Sequence, residues 1–178
     1  MTILSAENLT IHFGGLVAVD KVCMMVEPNE IFSIIGPNGS GKTTIFNLIS
    51  GYYKPSSGQI YYKGQPIHNF KPYRIAFLGI ARTFQNVRLF KRMTVMENAL
   101  VGHHTKIRTR FFDDILHTPR MRREEKKNRE AALNLLRMFG LERYLKEKAE
   151  NLPYGDQRKL EIVRGLAAEP EVILLDEP

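Results

Sequence analysis

The chain has 178 residues, 43% hydrophobic and 25% charged, the balance of a soluble globular protein long enough to bury one substantial core. No stretch approaches the roughly 18 consecutive apolar residues of a membrane span, and residues 1–8 lack the basic start and apolar run of a signal peptide, so the chain is expected in the cytoplasm. Its 26 Lys and Arg against 19 Asp and Glu give a net charge of +7, which favours an anionic partner (nucleotide, nucleic acid or phospholipid) without choosing among them.

In chain order, Ile3, Leu9 and Ile11 stand near alternate positions and run into Phe13-Gly14-Gly15, a strand followed by a turn. Residues 17–26 read as a second strand. Within it the lone Cys23, between Val22 and Met24, has no disulfide partner and reads as a small core hydrophobe. Ile31-Phe32-Ser33-Ile34-Ile35 is short, almost wholly apolar and β-branched, the pattern of a strand buried on both faces of a parallel sheet. Residues 44–50 place Ile45, Leu48 and Ile49 at helical spacing, stopped by Gly51. A turn at Pro55-Ser56-Ser57-Gly58, a strand over residues 59–62 and a tight turn at Lys63-Gly64 follow. A strand from Leu78 is expected to end at Thr83-Phe84-Gln85.

Residues 93–168 read mostly as helix. Ala131, Leu135, Leu136, Met138 and Phe139 form one apolar stripe closed by Gly140, and Leu160, Val163 and Ala167 form another. Val172-Ile173-Leu174-Leu175 is a second buried-strand pattern, ending in Asp176-Glu177-Pro178. These shifts divide the chain into a strand-rich core, residues 1–90 plus 169–178, interrupted by a helical insertion over residues 91–168.

Residues 36–43, Gly36-Pro37-Asn38-Gly39-Ser40-Gly41-Lys42-Thr43, match G-x-x-x-x-G-K-[ST] between an expected strand and an expected helix. The glycines let successive N–H groups point at phosphate oxygens, Lys42 reaches the β- and γ-phosphates, and Thr43 offers a hydroxyl to Mg²⁺. With Thr44 beginning the helix, whose positive end faces the same anion, the expected ligand is Mg·ATP. Asp176, at the carboxyl end of an expected strand, is placed to order Mg²⁺, and Glu177 to polarise the attacking water as general base. His103-His104 lacks further ligands at metal spacing and reads as surface histidine. The mixed charges over residues 120–129 read as a solvated helix face, with contact to anionic lipid headgroups as the alternative.

The order of four motifs narrows this further: residues 36–43, then Gln85, then Leu152-Pro153-Tyr154-Gly155-Asp156-Gln157, then Leu174-Leu175-Asp176-Glu177-Pro178. Together they resemble the ATP-binding subunit of ABC transporters along the whole chain. His12-Phe13-Gly14-Gly15-Leu16-Val17-Ala18-Val19, Ala81-Arg82-Thr83-Phe84-Gln85-Asn86-Val87-Arg88-Leu89-Phe90 and Met93-Thr94-Val95-Met96-Glu97-Asn98 look like the bacterial branched-chain amino-acid importers. Of their two ATPase subunits, the chain is more similar to the one with a long insertion between the glutamine and the signature.

The resemblance implies an α/β fold: a P-loop core with an N-terminal antiparallel β subdomain and an inserted helical subdomain. It implies that Phe13 stacks on adenine, the alternative being an ordinary strand-end aromatic. Gln85 would contact Mg²⁺ or the water and report nucleotide state to the membrane subunit. Tyr154, Gly155, Asp156 and Gln157 would face the γ-phosphate held by an opposite subunit. The implied partners are a second ABC ATPase subunit, identical or not, membrane permease subunits and, indirectly, a binding protein, at the cytoplasmic face of the inner membrane. No nucleic acid is expected, although a soluble ABC ATPase acting on nucleic acid or ribosomes is the alternative. The family pattern continues past an Asp-Glu-Pro such as Asp176-Glu177-Pro178 with a further loop, a central strand and a histidine. The expectation is therefore a fragment whose C-terminal part is missing and which turns over ATP poorly by itself.

Overall fold

Strand β1 (Leu4–Phe13) turns at Gly14 and Gly15 into β2 (Leu16–Val26), as the alternating apolar residues and the glycine pair predict. The computed structural model that contains this hairpin describes residues 2–103 and 119–176, and the chain divides into two units, Met1–Leu78 and Gly79–Pro178. In β1 the buried apolar side chains are Leu4 and Ala6, then Leu9 and Ile11, so the buried face moves by one residue between the two pairs. Asn8, at φ 47°, absorbs the slip, and the ladder to β2 changes register between Ala6 and Leu9. Without that irregularity Leu9 and Ile11 would turn to the opposite face.

On its other side β1 pairs with β3 (Ser57–Tyr62), which turns through Lys63 and Gly64 into β4 (Gln65–Pro66). The resulting antiparallel sheet has the order β2-β1-β3-β4. Helix α1 (Lys42–Ile49) buries Ile45, Leu48 and Ile49, the spacing that marked it in the sequence. Helix α2 (Pro72–Leu78) was not foreseen; Pro72 stands at its first position, where a missing N–H is harmless, and Ile75 is its buried anchor.

Two expectations fail in this unit. Residues 31–35 form no strand, and Ile31 and Ile35 are 96% and 93% exposed. A buried parallel strand exists only through its ladder partners, and none of the described strands pairs with this run. Cys23 is exposed rather than in the core. It lies on β2, an edge strand of this sheet, where Val22 and Met24 are half-buried and Cys23 and Met25 alternate outward. Its sulfur accepts the Asn8 N–H at 3.2 Å, and its thiol donates to Asn8 Oδ1 at 3.7 Å.

In the second unit β5 (Ile80–Arg82) pairs in parallel with β6 (Val172–Leu174), Ile80 opposite Val172 and Arg82 opposite Leu174. Between them run α3 (Val95–His103), α4 (Pro119–Met138), 3₁₀ turns at Glu142–Tyr144 and Ala149–Asn151, and α5 (Tyr154–Ala167). Val95, Met96 and Ala99 of α3, Ala132 and Leu136 of α4, Leu160 and Val163 of α5, and Leu141, Ala149 and Leu152 form one buried cluster. Helix α3 opens on a reciprocal cap: the Glu97 N–H donates to Thr94 Oγ1 at 3.2 Å and Glu97 Oε2 accepts the Thr94 N–H at 2.7 Å. The Thr94 amide, then its hydroxyl, hold the Glu97 carboxyl below its usual range. The cap is therefore complete above the ordinary carboxylate pKa and lost as pH falls through the lowered one.

Helices α3 and α5 approach closely at Gly102, where a Cβ would lie 2.3 Å from the Arg164 carbonyl oxygen and 2.7 Å from the Ala167 Cβ. Backbone cannot give way as a flexible side chain does. Gly102→Ala is expected to destabilise the protein by about 1–3 kcal/mol, the usual effect of overpacking, read as a lower urea midpoint at unchanged slope.

Here too the structure corrects the reading. Leu78 ends a helix, and the strand expected to start there is confined to Ile80–Arg82; Gly79, at φ 109°, separates the two. Met138 is 77% exposed, because the buried line of α4 runs through Ala132 and Leu136, with Leu133, Leu135 and Phe139 only partly buried. His103 is buried rather than on the surface, as the last residue of α3, while His104 lies outside the described residues. Of β6 only Leu174 is buried, since β5 is its sole described neighbour. In the charged stretch of α4, residues 123–127 are exposed, as expected of a solvated face.

Candidate functional site

The phosphate loop occupies the bend between residues 31–35 and α1. Gly41 precedes the helix at φ 92°, and a Cβ there would lie 2.5 Å from the Ala18 carbonyl oxygen, so both the backbone angle and the seat of α1 against β2 demand glycine. No side chain caps α1, and its first turn carries no acidic residue. The positive end of the helix dipole there favours an anion. Lys42 Nζ donates to the carbonyls of Gly36 at 2.8 Å and Pro37 at 2.9 Å, drawing the ammonium back across the loop. Pro37, Asn38, Gly39 and Ser40 are exposed, while Lys42, Thr43 and Thr44 are half-buried. A curled glycine backbone, an uncapped helix start and one ammonium suit the phosphates of a nucleotide. Phe13, 44% exposed, meets Tyr53 edge-on with ring centroids 5.2 Å apart.

The second unit holds the remaining expected residues. Asp176, just past β6, is buried, and its Oδ2 lies 3.2 Å from Arg82 Nη2, the two side chains being 4% and 6% exposed. The parallel pairing sets this up: Thr83 N–H donates to the Leu174 carbonyl at 2.9 Å, and Asp176 N–H donates to Thr83 Oγ1 at 3.3 Å. The guanidinium groups of Arg82 and Arg88 lie 5.1 Å and 4.2 Å from the Phe84 ring centroid, and Gln85 follows Phe84. Glu177 lies outside the described residues.

At the signature, α5 begins at Tyr154, which is 64% exposed, and Gly155 has open space where a Cβ would stand. Asp156 and Gln157 turn inward instead. Asp156 Oδ1 accepts from Lys159 Nζ at 2.8 Å, with Arg143 Nη2 3.9 Å from Oδ2, and Gln157 Nε2 donates to the Leu152 carbonyl at 2.9 Å. The outward face of this turn is thus Tyr154-Gly155, while Asp156 and Gln157 brace it.

Sequence reasoning missed two groups here. Arg82 gave no local sign, since its partner is 94 residues away. Glu161, 2% exposed, did: it sits beside Leu160 and two residues before Val163 on the buried side of α5, where an acid is out of place without a partner. Among the described residues no group of three or more His, Cys, Asp or Glu side chains could hold a metal, and no helix is long and apolar enough to cross a membrane.

Residues 19–178 match a family model described as ABC transporter. The chain is 46% identical over 176 residues to the high-affinity branched-chain amino acid transport ATP-binding protein LivG of Escherichia coli K12, covering 99% of this chain and 69% of that protein. A nucleotide-free ATP-binding cassette from an ABC transporter superposes with a TM-score of 0.80 at 35% identity, over 100% of this chain and 70% of that one. A bacterial ABC transporter cassette solved as a dimer gives 0.79 at 28% identity, over 98% and 74% of the two chains.

Proposed function

Because the chain belongs to the ABC transporter ATP-binding family, we propose that it binds and hydrolyses ATP to energise an importer of branched-chain amino acids. The observation that carries the reading is the loop of residues 36–43, with its ammonium at Lys42 and the uncapped start of α1. The cargo is proposed from that of the LivG relative, a high-affinity branched-chain amino acid transport ATP-binding protein.

In this reading the residues divide the work. The N–H groups of residues 39–44 and Lys42 hold the β- and γ-phosphates, and Phe13 stacks on adenine. Thr43, Asp176 and Gln85 would hold Mg²⁺, which would supply positive charge against the phosphates. Glu177 takes a proton from the water that adds to the γ-phosphorus as ADP leaves. Tyr154-Gly155, braced by Asp156 and Gln157, completes the site of a second ATPase subunit with N–H groups at a positive helix end. The dimeric cassette supports that sharing by likeness. Residues 91–168 are read as the helical subdomain inserted into the nucleotide core, and permease subunits would hold the pair at the cytoplasmic face of the inner membrane. The alternative of an ATPase acting on nucleic acid finds no support in the relatives described above.

Affinity purification from membranes of the native host tests the assembly. Two permeases and a second ATPase are expected to co-purify; recovery of nucleic acid or ribosomes instead would refute the reading.

A further inference from the structure

Glu161 is a buried acid of α5 with no role in the chemistry above. It is 2% exposed in the middle of α5, where a carboxylate is costly unless its oxygens are occupied. Oε1 accepts the backbone N–H of Arg88 at 3.1 Å, whereas Oε2 accepts no hydrogen bond among the described residues and is met only by the charge of Arg158, whose Nη1 lies 3.7 Å away, one turn earlier on the same helix. That Arg158 nitrogen also donates to the carbonyl of Phe84. Arg164, one turn later, is a further cation near Glu161, its pKa lowered by burial and raised again by that carboxylate.

The partners outside α5 are the carbonyl of Phe84 and the amide of Arg88, which bracket Gln85, Asn86 and Val87. One ion pair therefore fastens both ends of the segment that carries Gln85. The ring of Phe84, lying against the guanidinium groups of Arg82 and Arg88, adds a third hold, and Arg82 reaches Asp176. Backbone attachment at two points fixes where the intervening residues sit in a way that contact with their side chains would not.

We propose that Glu161 and Arg158 are positioning residues for Gln85: their ion pair clamps residues 84 and 88 to α5, so that the helix beginning at Tyr154-Gly155 and the glutamine move as one piece. The proposal rests on the reading of Gln85 as a contact to Mg²⁺ or the attacking water. If that helix is displaced when a second subunit docks at its start, the clamp carries the displacement to Gln85 directly.

The test is a double-mutant cycle on the protein assembled with its permeases in proteoliposomes. Glu161→Gln keeps the shape and the acceptor for Arg88 but removes the charge that holds Arg158. It is expected to lower kcat roughly 10- to 100-fold, the size of effect a small misplacement produces, with ATP affinity unchanged within about twofold. Combined with Gln85→Ala it should slow turnover no further than Gln85→Ala alone, since both act through one group. A general structural weakness would instead multiply the two losses, and that outcome, or normal kcat in Glu161→Gln, would overturn the proposal. Should Glu161→Gln fail to fold, Arg158→Lys decides in the same cycle. It keeps a cation for Glu161 but loses the planar fork that also reaches the Phe84 carbonyl. If Gln85→Ala itself turns over normally, the role of Gln85 falls and takes the clamp's purpose with it; slow turnover in Gln85→Ala with multiplying losses removes the clamp alone.

Discussion

Replacing Lys42 by alanine is expected to abolish tight ATP binding while leaving the fold intact. The side chain is half-buried at the start of α1, and its bonds to the Gly36 and Pro37 carbonyls can pass to water because both residues are exposed. Stability should therefore change little. The nucleotide has no such substitute. Hydrogen bonds to charged groups are worth about 1.5–3 kcal/mol each, so losing one to each of the β- and γ-phosphates should weaken binding by roughly 100-fold or more. Equilibrium titration with Mg·ATP measures this, and a wild-type affinity in a folded Lys42→Ala protein would count against the phosphate assignment.

The second large effect is expected from Glu177→Gln. The residue before it is held on three sides: Asp176 lies past a strand paired with β5, its amide is bound by Thr83 Oγ1 and its carboxylate by Arg82. Glu177, next in the chain, is the proposed base. Glutamine preserves its size and can still accept a hydrogen bond, but it cannot take a proton from water. A positioned general base contributes typically about 10²–10⁴-fold, so turnover should fall by that order while ATP binding persists. Gel filtration of Glu177→Gln with ATP is expected to show a stable dimer, because the step that separates the subunits is blocked. Hydrolysis at the normal rate would remove Glu177 as the base.

Local chemistry was legible in the sequence. The phosphate loop is written in consecutive residues, with Gly39 and Gly41 at positive φ, and the hairpin at Gly14-Gly15 and the Leu160, Val163 and Ala167 stripe follow from local pattern alone. What depends on distant neighbours was less so. Ile31 and Ile35 have the composition of a buried strand, yet burial needs partners that the described strands do not supply. Cys23 looked like core because Val22 and Met24 flank it, but in a strand the flanking residues face the other way. Met138 fell on the wrong side of α4 because the stripe was drawn one step from the line through Ala132 and Leu136. The Thr94-x-x-Glu97 cap was readable and overlooked.

At the site the same division holds. Asp176 stands out by its place after an apolar run, whereas its partner Arg82 required knowing that β5 lies beside β6. Asp156 and Gln157 belong to a motif the sequence displays, but that they brace the turn while Tyr154 and Gly155 face outward depends on Arg143, Lys159 and the Leu152 carbonyl.

The central claim is that ATP hydrolysis at this phosphate loop energises amino-acid import. Its most direct test is ATPase activity in proteoliposomes carrying the protein, its permeases and the second ATPase, with a binding protein loaded with leucine, isoleucine or valine supplied on the far side. Hydrolysis is expected to rise when the loaded binding protein is added and to vanish with Lys42→Ala. Hydrolysis that ignores the loaded binding protein, or survives Lys42→Ala, would contradict it.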